Sequence, residues 1–386
     1  MTNEQKLLIG TLGLAVAGKP FQMPEAVDWD ALCNLAEAHK VTPLLYDGLQ
    51  KAGIPLPADV QQWLHGVYMQ TIFRDTQLEH MKKQLQEALV DAGIRHIFLK
   101  GAVLKYDYPT PALRTMCDLD VLVHTEDFPV LEELSQKLGG RNTHSDGNHR
   151  NYTFPGGVTV EFHPNLLHHD TPVGTGINPG WQYGKNTADI AGELTEEGFY
   201  LNTLCHLANH FVGGGVGVRY VLDVWVNRRL RKQPIDRAFV EQELASFGLL
   251  EFAQKIEQLS EAWFGDGQGD GILDELGDYI FTSGLQGTSH RAMLNAVALS
   301  PGQSQTSALM KKAFHSREEM EDRFPWCKGK PWLLPIAWIV RAVKAIWNHG
   351  ALILQWGKGT GQFSKEEISQ QAAQLKRFGI DPKANK

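Results

Sequence analysis

Phe98-Leu99-Lys100-Gly101, then Arg114, then Asp118-Leu119-Asp120-Val121-Leu122-Val123 is the stretch whose reading decides the fold. The spacing of apolar residues changes across it. Upstream, Val60, Trp63, Leu64, Val67, Tyr68, Ile72, Phe73, Leu78, Leu85 and Leu89 recur at helical intervals until Gly93. Ile94 to Leu99 then reads as a short strand, Lys100-Gly101 opens a brief helix to Tyr106, and Pro109 and Pro111 break the chain. Leu119 to Val123 is a second strand with acids at its mouth. Residues i and i+2 of a strand share a face, so Asp118 and Asp120 set two carboxylates side by side. That arrangement is electrostatically costly without a cation. Hard divalent ions such as Mg²⁺ take such oxygen ligands, usually with substrate phosphates completing the shell.

Working outward, Phe128 to Leu138 reads as a helix, and Asn151 to Phe154 pairs with Val158 to Phe162 across Pro155-Gly156-Gly157. Glu161 lies on the last of these strands and joins Asp118 and Asp120 if the strands are neighbours. Residues 1–92 read as helical: Asp28 or Asp30 caps Ala31 to His39, Thr42-Pro43 opens an element to Leu49, and a long helix starts at Ala58. Beyond Pro164 strands are hard to find. Helices are expected at about 193–211, 219–231, 236–247, 249–264 and 336–354. The expected fold class is α+β: a small mixed sheet (93–165) between an N-terminal helical region (1–92) and a C-terminal helical domain (166–386).

At roughly 150 residues per domain, 386 residues make two or three domains. Lys plus Arg total 37 against 44 Asp plus Glu, a net charge of −7 that argues against nucleic acid as a partner. Cys33, Cys117, Cys205 and Cys327 form no CxxC pair, which points to a reducing cytoplasm. Leu7 to Ala17 faintly imitates a signal peptide, but Glu4 accompanies Lys6 where a net positive n-region is needed, so an ordinary first helix is expected. The apolar stretch from Trp332 to Trp356 is interrupted by Pro335, Arg341, Lys344 and His349, so burial is preferred to membrane contact. Asp266 to Gly271 imitates a calcium loop but has Gly277 at the twelfth position, where a bidentate Glu is required. Gly213-Gly214-Gly215 lies between helices and reads as a mobile linker.

Two basic residues accompany the acids. Lys100 and Arg114 supply charge for a triphosphate, and Gly101 begins a helix after a strand, where backbone N–H groups hold phosphate. Taken in this order, the residues resemble the nucleotidyltransferase superfamily: a strand, a Gly-containing turn into a helix, Asp-x-Asp on the next strand, and a third acid later. More closely, Leu99-Lys100-Gly101, Tyr108, Pro111, Arg114, Asp118, Asp120 and Leu122-Val123 resemble a bacterial family of uncharacterised nucleotidyltransferases. The likeness extends to Val41-Thr42-Pro43-Leu44-Leu45-Tyr46, to Glu161-x-His163, and to His206, His210, Arg219 and Asp223. The chain departs from the superfamily at the turn, where Lys100-Gly101-Ala102 replaces Gly-Ser, and Cys117 stands where many members carry Ser.

The resemblance implies transfer of a nucleoside monophosphate from an NTP, ATP foremost, to a hydroxyl of a small molecule, a sugar or a protein. Mg²⁺ or Mn²⁺ would sit on Asp118, Asp120 and Glu161, with Lys100, Gly101, Arg114 and His163 on the nucleotide phosphates. For His163 the competing reading is a core-edge histidine. His206, His210, Arg219 and Asp223 would face an acceptor cleft. Arg219 and Asp223, four apart, equally suit a structural ion pair. His206 and His210 share a helix face, but no Glu follows as in HExxH, so the cleft is preferred to zinc. The alternative reading is a catalytically silent module that senses a nucleotide or docks a partner on the same fold.

Overall fold

A computed structural model describes residues 1–145, 149–167, 173–185, 189–285, 287–300 and 363–381, with short pieces between 317 and 343. The chain begins with α1 (Asn3–Ala17), α2 (Trp29–Ala38), α3 (Thr42–Lys51) and α4 (Ala58–Asp91). Of the two candidate caps, Asp28 holds α2, its Oδ1 accepting from the Ala31 amide at 3.0 Å. Gly93 ends the long α4 run with φ of 69°, a backbone that L side chains disfavour.

The sheet follows: β1 (His96–Phe98), β2 (Asp118–Val123), β3 (Arg141–Ser145), β4 (Arg150–Thr153), β5 (Thr159–His163), β6 (Gly184–Lys185) and β7 (Ala191–Leu194), in the order β3-β4-β5-β2-β1-β7-β6. The short α5 (Gly101–Leu104) leaves β1, and α6 (Phe128–Lys137) follows β2. The expected β4–β5 pairing is antiparallel, with Tyr152 opposite Val160. The mixed sheet with helical flanks is the α+β architecture anticipated, yet it reaches past residue 165. β7 runs parallel to β1, with His96 opposite Ala191. Neither β7 (Ala-Gly-Glu-Leu) nor β3 (Arg-Asn-Thr-His-Ser) carries the apolar alternation by which a strand is recognised. Their place comes from backbone pairing to strands already formed.

The sheet has two different faces. Leu119, Val121 and Val123 of β2, with Val160 and Phe162 of β5, pack against Leu78, Leu85 and Leu89 of α4 and Leu131 of α6. Ile97 and Leu122 face the other way, into the large core built by the terminal helices. Strand alternation puts Asp118 and Asp120 on the face of Leu122, so they look toward the C-terminal helices.

Those helices are α7 (Glu196–Val212), α8 (Val218–Arg229), α9 (Arg237–Ser246), α10 (Leu250–Phe264), α11 (Gly271–Phe281) and α12 (Ser289–Ala298). Asp270 of the false calcium loop caps α11, accepting from the amides of Ile272 and Leu273. The triglycine turn is packed, contrary to the reading as a mobile linker. A Cβ on Gly215 would lie 2.3 Å from Ser283 Oγ, and Gly214 O accepts from the Thr288 amide. Within Trp332–Trp356, residues 334–341 are helical, and residue 342 and residues 344–356 lie outside the described residues. Leu334 and Ala337 are buried beside Met320 and Phe324, whereas Trp332, Ile336, Ile339 and Val343 are exposed. The described part therefore buries one face rather than its whole circumference. Among the described residues, no helix is long and apolar enough to cross a membrane.

Candidate active site

A cavity of about 250 Å³ opens between the polar face of the sheet and the helices α7 and α8. β2 and β5 are parallel neighbours, with Asp120 opposite Glu161 and Leu122 opposite His163. Asp118, Asp120 and Glu161 all line the cavity. Arg74 of α4 sets the mouths of both strands, donating to the carbonyls of Cys117, Gly156 and Gly157 at 3.2, 3.0 and 2.9 Å. Its sequence signal was slight, one of several charged residues on a long periodic helix.

Lys100 arrives from β1. Its φ of 48° and ψ of −122° are rare for a side-chain-bearing residue, and such conformations cost about 1–3 kcal/mol and persist where the surroundings impose them. Its Nζ donates to Asp120 Oδ1 at 2.7 Å. The same oxygen meets His163 Nε2 at 2.9 Å, and that nitrogen lies 3.5 Å from Glu161 Oε2. His163 therefore sits on the acids. Asp120, Glu161 and His163 offer ligand atoms within 4.8 Å of one another.

The charges of these groups are interdependent. Burial by itself would raise the pKa of Asp120, but Lys100 and His163 hold it far below the carboxylate range. Burial likewise opposes the charged forms of Lys100 and His163, and both are raised by the adjacent acids. A hydrogen bond from His163 lowers Glu161. Asp118 goes the other way, to about 6, through burial and the neighbouring Asp120. Asp118, Asp120 and Glu161 stand together opposite Lys100, His163 and Arg219, and burial is the first cause of the rise at Asp118. Carboxylate oxygens clustered in this way fit a hard divalent cation.

Gly101 is placed for packing. A Cβ there would lie 2.3 Å from Arg114 Nη1 and 2.8 Å from Met116 Sδ. The amides of Ala102, Val103 and Leu104 bond back to Leu99 and Lys100 within the turn. Arg114 donates from Nε and Nη2 to the two carboxylate oxygens of Asp223, at 2.9 and 2.8 Å, and the pair is buried. Tyr108 adds its hydroxyl to Asp223 at 2.7 Å. The ion pair of Asp223 is therefore made with Arg114 of the sheet region and not with Arg219 of its own helix. Arg219 instead donates from Nη1 to Thr115 O at 2.8 Å and Thr115 Oγ1 at 3.2 Å.

α7 contributes Thr203, His206 and His210 to the cavity, and α8 adds Tyr220. The two Nε2 atoms of His206 and His210 approach to 3.0 Å, and both rings lie against Tyr220. Burial, then Lys100 and His210, pushes His206 well below the usual imidazole range and keeps it neutral. The cavity thus has an ionic wall from the sheet, and a helix wall of imidazole and phenol rings with Arg219 and Asp223 among them. Thr115, Thr203 and Tyr220 are lining residues that sequence reasoning did not single out.

A family model described as "Uncharacterised nucleotidyltransferase" matches residues 25–265, which spans α2 to α10 and the whole sheet. The chain belongs to this nucleotidyltransferase family. The comparisons with curated proteins and with solved structures return no match. The matched span includes every site residue named above.

Proposed function

We propose that the chain moves a nucleoside monophosphate from a nucleoside triphosphate, ATP foremost, to a hydroxyl of a small molecule, a sugar or a protein. The observation that carries this reading is the register of Asp120 with Glu161 on parallel strands, with Asp118 two residues away on the same face. Asp118, Asp120 and Glu161 would hold Mg²⁺ or Mn²⁺, which when bound supplies charge neutralisation and orientation of the phosphates. The chain's own groups do the rest. The acceptor oxygen bonds to the α-phosphorus as the bond from that phosphorus to the bridging oxygen breaks. Pyrophosphate leaves with the electron pair, and Glu161 takes the acceptor proton. Lys100 keeps Asp120 ionised and offsets charge growing on the phosphates. His206 and Tyr220 line the side from which the acceptor enters. Free thiols at all four cysteines suit a reducing cytoplasm.

The reading is tested by incubating the protein and a cell extract with labelled ATP and Mg²⁺ and searching for nucleotidylated products by mass spectrometry. Pyrophosphate release that disappears in Asp120→Asn is expected. Calorimetry in which the wild-type protein binds no nucleoside triphosphate would overturn it. One observation favours a silent nucleotide-sensing or partner-binding module: the Lys100 ammonium already neutralises Asp120. Turnover with a supplied acceptor separates the two.

A further inference from the structure

We infer that Arg219 grips the pyrophosphate end of the nucleoside triphosphate, so that the phosphate clamp is delivered by the C-terminal helices; this rests on the nucleotidyl transfer proposed above. Three strong cations line the cavity, and they differ in what they already hold. Lys100 is on Asp120 at 2.7 Å. Arg114 is tied through two nitrogens to Asp223, with side chains 8 % and 6 % exposed. Arg219 pairs with no carboxylate among the described residues. Its Nη1 is anchored on Thr115, and its Nε is buried without a hydrogen-bond partner. A buried donor left without an acceptor is costly, and a ligand oxygen removes that cost. The guanidinium fork matches the paired oxygens of a phosphate better than a lysine ammonium does.

The surroundings of Arg219 point the same way. It lies in the first turn of α8, whose N-cap is Gly217 and supplies no side-chain hydrogen bond. The first amide of that helix, Val218, is held by His39 Nδ1 at 3.2 Å, and Arg219, Tyr220 and, one turn on, Asp223 line the cavity. Arg219 is also close enough to Asp118 for its charge to favour that carboxylate. A triphosphate whose α-phosphorus sits at the acids thus has its β- and γ-phosphates facing Arg219. When the bond to the α-phosphorus breaks, the departing pyrophosphate gains charge against this guanidinium. Thr115 is the positioning residue, since its carbonyl and hydroxyl fix the orientation of the fork.

The test is calorimetric binding of inorganic pyrophosphate and of α,β-methylene-ATP, each with Mg²⁺, to the full chain and to Arg219→Gln, Arg219→Lys and Thr115→Val. Arg219→Gln should weaken pyrophosphate about 10- to 100-fold, Arg219→Lys less, and Thr115→Val a few-fold. In turnover, Arg219→Gln should raise KM for the triphosphate as well as lower kcat. A readout without any variant is modification of the wild-type protein by phenylglyoxal, mapped by peptide mass spectrometry, in which Mg²⁺-pyrophosphate should protect Arg219. If the wild-type protein binds pyrophosphate while Arg219→Gln binds it equally well, or if bound pyrophosphate leaves Arg219 unprotected, the inference is wrong and nucleotidyl transfer stands. If the wild-type protein binds neither probe, both fall together.

Discussion

Replacing Asp223 by Ala leaves the Arg114 guanidinium buried with no counter-charge. In the native protein Arg114 makes two hydrogen bonds of 2.9 and 2.8 Å to that carboxylate, and the Tyr108 hydroxyl makes a third of 2.7 Å. Removing one member of such a buried pair costs about 3–5 kcal/mol, because the remaining charge keeps its desolvation penalty and loses its attraction. The stranded Tyr108 hydroxyl adds about 1–3 kcal/mol. Removing both charges together is a different perturbation. Arg114→Met with Asp223→Leu fills similar volume with apolar groups and leaves the stranded Tyr108 hydroxyl as its main cost, so it should fall within about 3 kcal/mol of the wild type. The assay is urea unfolding followed by tryptophan fluorescence, run on wild type, both single variants and the double variant. The expected pattern is two unstable singles and a largely recovered double, with a coupling energy of several kcal/mol. The same variants report on phosphate: if Arg114 is a structural pin, the double variant keeps its affinity for Mg²⁺-pyrophosphate. An Asp223→Ala protein within about 1 kcal/mol of wild type would refute the reasoning.

Three further outcomes are expected. Gly101→Ala forces a methyl group against Arg114 Nη1 and Met116 Sδ, at 2.3 and 2.8 Å, and should cost about 1–3 kcal/mol in the same unfolding assay. Burial holds His39 down at about 4 from an ordinary 6.5, while its Nδ1 accepts from the Val218 amide. Below pH 6.5 the unfolded chain takes up a proton that folded His39 refuses, so its contribution is present at pH 7 and is lost as pH falls toward 4. The loss is about 2 kcal/mol by pH 5, at about 1.4 kcal/mol per pH unit, and His39→Asn should flatten the pH dependence of the urea midpoint by that amount. Mg²⁺-ATP at a hundredfold excess over its Kd should stabilise the wild-type protein by about 2.7 kcal/mol, read as a rise in Tm. Asp120→Asn should show little of this rise and lose at least about 100-fold in pyrophosphate release.

Much of the local structure was legible because its causes are local. The Asp28 cap, the stop at Gly93 and the Asp-x-Asp strand depend on residues within a turn or two of each other. β7 and β3 were not legible, since short polar strands acquire their pairing from distant partners, as His96 does with Ala191. The site divides in the same way. Asp118, Asp120 and Glu161 were recognisable as a group because strand alternation sets the first two on one face and the third lies on a strand that pairs with theirs. The allocation of the positive charges was not recognisable. Arg114 and Asp223 are 109 residues apart, and Arg219 and Thr115 are 104 apart.

The sequence by itself determined where the acids stand, Asp118 and Asp120 on one face at the mouth of a buried strand, because residue type and period-two geometry are encoded in adjacent residues. Only the tertiary structure decided which cation serves which acid. Lys100 went to Asp120, Arg114 to Asp223, and Arg219 kept a donor without a partner. Ion pairs depend on distance and burial, and both come into existence only when the helices close over the sheet.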